Sequence, residues 1–318
     1  MKYKTTDLAV IIPTKDRPEY IRKHLQSLVD QRCELGQVIV VASGQDIVDI
    51  VFSFNNQLPI EYYRSDPGQV RQRNLGISKL SKKIKLVATV DDDIIFYKNA
   101  ILEMINFWNV VKPETAGVGF NVITDSIIKH SWLRGLLGFS SKEPGRVLKS
   151  GFNTSVYNLN QDSPVEYIGG GYSVWHHNIL KNYINLEINT RWAVYEDLIF
   201  SYPIGKKYPL YICSSARVTT DDIIVDRSEK EFYIYRGEAQ YLWGLFFIMK
   251  NDNLSVFHFI INKLIYCSMK IFKGFIYFDS SGYFVALGMI TAFLKSFRAL
   301  TGHYNIDEYK NKFLNSLN

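Results

Sequence analysis

The chain has 318 residues, 47% hydrophobic and 21% charged, with 37 Lys plus Arg against 31 Asp plus Glu, a net charge of +6. That balance excludes a disordered chain, and a small positive excess without a basic cluster excludes a dedicated nucleic-acid binder. Three scattered cysteines, Cys33, Cys213 and Cys267, with no C-x-x-C pair, argue against a disulfide framework or zinc site and fit a reducing compartment.

The opening MKYKTTDLAVIIP has too few apolar residues before Pro13 for a signal-peptide core, so a cytoplasmic protein is expected. LAVII at 8–12 is short, β-branched and stopped by Pro13, the pattern of a strand buried on both faces. Ile21, Leu25, Leu28 and Val29 then follow helical spacing, with Pro18 at the first helical position. Strand patterns recur at 38–41, 60–63 and, most strongly, 84–90, the last running into Asp91, Asp92 and Asp93. Alternating strand and helix predict an α/β sheet flanked by helices.

From 121 to 161 the periodicity fades into Gly, Ser, Lys and Asn, predicting a mobile insert. A second patterned block, opening with a strand VEYI, runs from 165 to about 225, and beyond it the chain turns aromatic and helical. The expected division is a catalytic α/β domain over 1–225 and a helical region over 226–318. Within 254–300, Lys263, Lys270, Lys273, Lys295 and Arg298 face Asp279 alone, and no apolar stretch is long and charge-free enough to span a bilayer. Two readings stand: helices lying on an anionic bilayer surface, with Lys263 and Lys270 on one face, or a helical pair covering the sheet.

Asp91, Asp92 and Asp93 follow a buried strand, and in an open α/β sheet the carboxyl ends of the strands border the ligand crevice. Three adjacent carboxylates repel one another unless a cation compensates. Mg²⁺ or Mn²⁺ suits carboxylate oxygen, with substrate phosphates completing the shell. The competing reading is a solvated acidic turn capping the next helix.

VIIPTKDRPEYIRKHLQSLVDQ, RSDPGQVRQRNLGIS, VATVDDDIIF, GGGYSVWHH and YEDLIF occur in that order. In order and spacing they resemble the family 2 glycosyltransferases with the GT-A fold, over about residues 7 to 222. The resemblance implies an inverting, metal-dependent enzyme that moves a sugar from a nucleoside-diphosphate donor, UDP first, to a hydroxyl of a saccharide or lipid-linked saccharide in surface polysaccharide synthesis. It implies that Asp91 and Asp93 are the D-x-D pair, touching donor ribose and metal, with Asp92 between them. Pro13, Thr14, Asp16 and Arg17 match the loop along the nucleotide, although Asp16 as a cap for the first helix is an alternative. Ser43, in Ala42-Ser43-Gly44, stands where the family commonly has an acidic or amide residue for the base. Gly68, Arg73, Asn74 and Gly76 match the middle motif; Arg71 and Arg73 have a second reading as solvated helix residues.

Gly169, Gly170, Gly171 and Tyr172 match the loop beneath donor sugar and acceptor, while the neighbouring His176 and His177 are expected to pack or face solvent. Glu196 and Asp197 match the family's E-D pair. Asp197 is the expected base, since an attacking hydroxyl must lose its proton on the face opposite the leaving diphosphate; its alternative is a helix cap before Leu198. Many relatives have a histidine ligand after the following strand. Here Thr220, Asp221 and Asp222 stand there, so either Asp221 substitutes or the metal uses the D-x-D carboxylate and water. Two other functions fit an α/β sheet with such carboxylates: a sugar nucleotidyltransferase, whose Gly-rich first loop is absent from PTKDRP, and a non-catalytic nucleotide-sugar-binding protein.

Overall fold

The computed structural model describes residues 2–125, 131–187, 194–221, 230–300, 304–315 and 317. In chain order the elements are β1 (Leu8–Lys15), α1 (Pro18–Val29), β2 (Gln37–Ser43), α2 (Val48–Phe52), β3 (Ile60–Arg64), α3 (Gln69–Ser78), β4 (Leu86–Val90) and β5 (Ile94–Phe96). There follow α4 (Ala100–Trp108), β6 (Gly117–Val122), α5 (Trp132–Leu136), β7 (Ser163–Val165), β8 (Tyr172–His176), α6 (His177–Asn182), α7 (Glu196–Gly205) and β9 (Leu210–Thr220). The C-terminal helices are α8 (Lys230–Met249), α9 (Val256–Tyr277), α10 (Ser281–Leu300) and α11 (Ile306–Tyr309).

The chain divides into two compact units. The first comprises Met1–Ile128, Ser155–Glu187 and Phe200–Ile223; the second comprises Lys129–Thr154, Ile188–Ile199 and Ile224–Asn318. The boundary expected at 225 falls in 222–229, outside the described residues.

The first unit is one mixed sheet in the order β3-β2-β1-β4-β8-β6-β9-β5, with β7 on β9, flanked by helices. β1 lies between β2 and β4, parallel to both, which is why residues 8–12 carry no polar side chain and are fully buried. Pro18 opens α1 at its first helical position, where no amide is needed, and Ile21, Leu25 and Leu28 are buried. The parallel half ends at β4, because β8 pairs with it antiparallel. The carboxyl ends of β1, β2 and β4 therefore open in one direction at a reversal of strand order, where α/β sheets form their crevice.

Two expectations need correction. The loop in GGGYSVWHH is confined to the glycines: α6 does follow at His177, but Tyr172–His176 in between is β8, hydrogen-bonded to β4 on one side and β6 on the other. A glycine run reads as loop, and only pairing on both edges makes the next five residues a strand. The expected strand at 165–168 is displaced too, to Ser163–Val165 against β9.

In the second unit, the described part of the supposedly mobile insert is packed. Phe139 and Phe152 meet edge to face at 5.4 Å, Arg146 N–H donates to Thr154 Oγ1 at 2.8 Å, and Asn262 Nδ2 donates to the Gly138 carbonyl at 3.1 Å. Turns and side chains satisfy its backbone, so no periodicity is needed. Residues 126–130 of the insert lie outside the described residues. α8 and α10 approach backbone to backbone: a Cβ at Gly237 would strike the Val285 carbonyl, and one at Gly288 the Ile234 carbonyl.

Behind the carboxylates, the fully buried His24 hydrogen-bonds the Ile94 carbonyl through Nδ1 at 2.6 Å, and its Nε2 has no hydrogen-bond partner among the described residues. Burial holds this imidazole neutral, its pKa lowered from 6.5 to about 4. Because the folded pKa lies below the unfolded one, stability is full above pH 6.5 and is lost as pH falls toward 4, by up to about 3 kcal/mol. Urea unfolding of the first unit at pH 7.5, 6 and 5 should show this loss, and His24→Gln should flatten it; equal slopes in the two proteins would contradict the assignment.

Candidate active site

Three loops after parallel strands build the site in the first unit. The turn Asp91-Asp92-Asp93 joins β4 to β5, with Ile94 N–H donating to the Asp91 carbonyl at 3.2 Å. The next element is a strand, so the turn caps no helix; Asp92 is buried, and Asp91 and Asp93 are half-buried. Each carboxylate meets a different environment.

Asp91 Oδ1 accepts from Arg73 Nη2 and from Gln69 Nε2, both at 2.7 Å. Arg73 is buried, so it is not a solvated helix residue. Arg71, on the open side of α3, is half exposed and pairs with Glu187 at 3.4 Å and Asp66 at 3.6 Å. Asp92 turns inward, accepting from Thr14 Oγ1 at 2.6 Å and from Arg17 Nη1 at 3.1 Å. Burial outweighs both partners and raises its pKa. Among the described residues, the cation paired with Asp93 is Arg17, Nη1 at 3.9 Å. Desolvation, then the charges of Asp91 and Asp92, push its pKa up to about 6.

The surrounding loops are stitched to this turn. Gln72 Nε2 donates to the carbonyls of Thr14 and Val41, holding α3 against the ends of β1 and β2. Pro13 lies within β1 opposite Val41 of β2. Asp16, exposed and at φ 54°, accepts from Gln45 N–H at 2.6 Å. It does not cap α1, whose N-cap is Arg17 with no side-chain cap bond. Ser43 is buried at the end of β2, and its hydroxyl has no hydrogen-bond partner among the described residues. Gly68 precedes α3 at φ 147°, Gly76 lies on Ile11, and Asn74 Nδ2 donates to the Asn185 carbonyl at 3.1 Å.

The glycine run also reaches the turn. Asp91 N–H donates to the Gly171 carbonyl at 2.9 Å, Thr89 Oγ1 donates to the Gly170 carbonyl at 2.7 Å, and a Cβ on Gly171 would overlap the Asp91 carboxylate. Gly169 is similarly filled by the Tyr172 ring, which meets Tyr157 at 5.9 Å. His176 caps α6 through Asn178 N–H, and buried His177 bonds the Ile84 carbonyl at 2.7 Å, so both are structural.

Residues 9–180, more than half of the chain, match the model of Glycosyl transferase family 2. The chain belongs to this family. A 103-residue stretch is 30% identical to an "Uncharacterized glycosyltransferase" of Rickettsia bellii (strain RML369-C), covering 31% of this chain but only 15% of that protein. Mannosyltransferase PcManGT from Pyrobaculum calidifontis, solved with GDP-Man and Mn2+, is similar at TM-score 0.52 and 13% identity, over 96% of this chain and 83% of that one. S. aureus TarS 1-349 is similar at TM-score 0.50 and 14% identity, over 97% and 77%. At such identities the likeness is one of fold, and that fold is GT-A.

In this family 2 glycosyltransferase, Asp221 donates its N–H to the Asp93 carbonyl at 2.8 Å, while its carboxylate accepts from Lys23 Nζ at 2.6 Å. Thr220 ends β9 opposite Ile94, and Asp222 lies outside the described residues. Among the described residues no group of three or more His, Cys, Asp or Glu is arranged to hold a metal ion. The donor chemistry still fits one hard divalent cation at Asp93, a half-buried carboxylate beside Asp91 and Asp92; such cations need only one or two protein carboxylates beside substrate phosphates.

Glu196 and Asp197 belong to the second unit and form the first turn of α7, where carboxylates are favoured by the helix dipole. Before them Tyr195, at φ 70°, accepts from Lys263 Nζ at 3.1 Å and packs on Phe247 at 5.9 Å. Sequence reasoning missed Gln69 and Gln72. The signal was available: Gln69, Gln72, Arg73 and Gly76 recur at helical spacing, a polar stripe on one face of α3.

Asp92 and Asp93 should respond oppositely to substitution. Asp92→Ala strips Thr14 and Arg17 of their buried partner and should cost about 2–4 kcal/mol. Asp93 has a folded pKa above its unfolded value, so its ionised form costs stability as pH rises through about 6. Asp93→Asn should therefore stabilise the metal-free protein at pH 7.5 by about 1–3 kcal/mol, and denaturant melts in EDTA measure both.

Proposed function

We propose that this protein transfers a sugar, with inversion, from a nucleoside-diphosphate donor to a hydroxyl of a saccharide or lipid-linked saccharide acceptor in surface polysaccharide synthesis. The observation that carries this reading is the Asp91–Asp93 turn, whose carboxylates are handled separately at the carboxyl ends of three parallel strands within the family-matched region. The GDP-Man and Mn2+ in the mannosyltransferase of the same fold lend support. UDP is the first donor nucleotide to test, with GDP and dTDP next.

On this reading the donor lies along the loops after β1, β2 and β4. Arg17 offers a guanidinium to phosphate while bonded to Asp92, and Ser43, at the end of β2, stands along the nucleotide. Asp91, fixed by Arg73 and Gln69, faces the ribose or the metal. Asp93 would hold the divalent ion, with Asp91 or Asp221 as a further ligand. When bound, Mg²⁺ or Mn²⁺ would supply positive charge to the diphosphate leaving group. Gly169, Gly170, Gly171 and Tyr172 line the sugar and acceptor side.

The acceptor oxygen bonds to the anomeric carbon as the bond from that carbon to the diphosphate oxygen breaks, leaving the new linkage on the opposite face. The hydroxyl proton passes to the Asp197 carboxylate, with Glu196 beside it. Residues 1–225 carry this chemistry and 226–318 form a helical region.

The test is thermal shift against UDP, GDP, dTDP and CMP, each with Mn2+ or EDTA, together with a transfer assay. A nucleotide at 100 times its dissociation constant adds about 2.7 kcal/mol to stability. One nucleotide should shift the midpoint in a metal-dependent way, and Asp93→Ala should abolish the shift. Asp197→Asn should keep the shift and reduce transfer about 10²–10⁴-fold. No shift with any nucleotide would overturn the donor site, and full transfer by Asp197→Asn would overturn the base.

A further inference from the structure

The second unit carries a feature that sugar transfer does not use. α9 buries Phe259, Asn262, Cys267 and Gly274, yet its opposite face is also apolar: Phe257, Ile261, Leu264, Phe272 and Phe275 are exposed at helical spacing. α10 repeats the arrangement. Val285, Met289 and Ala292 are buried, while Tyr283, Leu287, Ile290, Leu294 and Phe297 form an exposed stripe spaced four, three, four and three. The turn between the helices adds Tyr277 at 73% and Phe278 at 96% exposure. Single exposed apolar residues are ordinary, but two parallel stripes joined by an aromatic turn are not.

No described helix is long and apolar enough to cross a membrane, so these faces need a surface partner. Charge identifies it. From 254 to 300 the cations number five against Asp279 alone, and Asp279 is engaged with Ser281. Three of the five are engaged within the protein: Lys263 with Tyr195, Lys295 with Glu238 at 2.6 Å, and Arg298. Lys263 and Lys270 share one side of α9, as their spacing of seven requires, but Lys263 is turned to Tyr195 and is not free for an outside partner. Lys273 is exposed and Lys270 lies over the Tyr266 ring at 5.5 Å, both within the stretch that carries Phe272 and Phe275. Protein interfaces are depleted in lysine, whereas lysines beside exposed aromatics on helices that do not span suit a bilayer boundary with anionic headgroups.

We propose that the open faces of α9 and α10 dock this protein on an anionic lipid bilayer, the apolar stripes entering the headgroup–acyl boundary and Lys270 and Lys273 meeting lipid phosphates. The inference stands apart from the donor reading, since it uses none of its residues.

Co-sedimentation of the full chain with vesicles of phosphatidylcholine alone, or with 30% phosphatidylglycerol (about a third anionic), tests it. Binding should require the anionic lipid and weaken with salt. Lys270→Gln with Lys273→Gln should weaken it about fivefold per lysine, and Phe272→Ser with Phe275→Ser should abolish it. Both double variants change exposed side chains, and an unchanged circular dichroism spectrum and melting temperature check that they remain folded. Absence of binding to anionic vesicles, equal binding to neutral ones, or indifference to both variants would overturn the proposal. So would a stable dimer in size-exclusion chromatography that the Phe272→Ser, Phe275→Ser variant dissociates, which would make a second copy the occupant.

Discussion

Three consecutive carboxylates at the end of a buried strand repel one another, and the first unit is organised around that repulsion. Asp91 is met by Arg73 and Gln69 from α3, and Asp92 by Thr14 and Arg17 from the end of β1. Asp93 is left with burial and its neighbours' charge. These partners come from distant stretches of chain, so the turn exists only if β1 and α3 are held flush with β4. The parallel register of β1 on β4, Leu8 opposite Leu86 and Ile11 opposite Thr89, accomplishes this, and Gln72 fixes α3 to the ends of β1 and β2. The neutralisation is unequal: Asp91 and Asp92 each have close hydrogen-bonding partners, and Asp93 has Arg17 at 3.9 Å.

The antiparallel half of the sheet completes the same region from the other side. β8 enters beside β4 directly after the glycine run, bringing the Gly171 carbonyl onto the Asp91 amide with no room for a side chain between them. Tyr172, first residue of that strand, stands opposite Val90. The ends of β1 and β4 thus lie where a parallel sheet gains an antiparallel neighbour, and the glycines serve close approach.

The second unit solves a different problem. α8 and α10 come close enough for Gly237 and Gly288 each to lie on the other helix's carbonyls, burying one face of α10. Its other face, and that of α9, remain apolar and open. An isolated soluble unit gains nothing from such faces, so their cost in water points to an environment that covers them.

Much was legible along the chain because the relevant signals are local. Residues 8–12 could only be a doubly buried strand, Ile21, Leu25 and Leu28 only one face of a helix, and the succession of motifs from PTKDR to YEDLIF carried the family resemblance. Local patterns also exposed the excess of lysine and aromatic residues in α9 and α10. Tertiary structure decided what depends on residues far apart in sequence: that Asp92 turns inward to Thr14 across 78 positions, that Lys263 is consumed by Tyr195, and that YSVWH becomes a strand by pairing on both edges. Each outcome is a competition among partners, for a charge, a hydrogen bond or a ladder, and one stretch of sequence contains only one of the competitors.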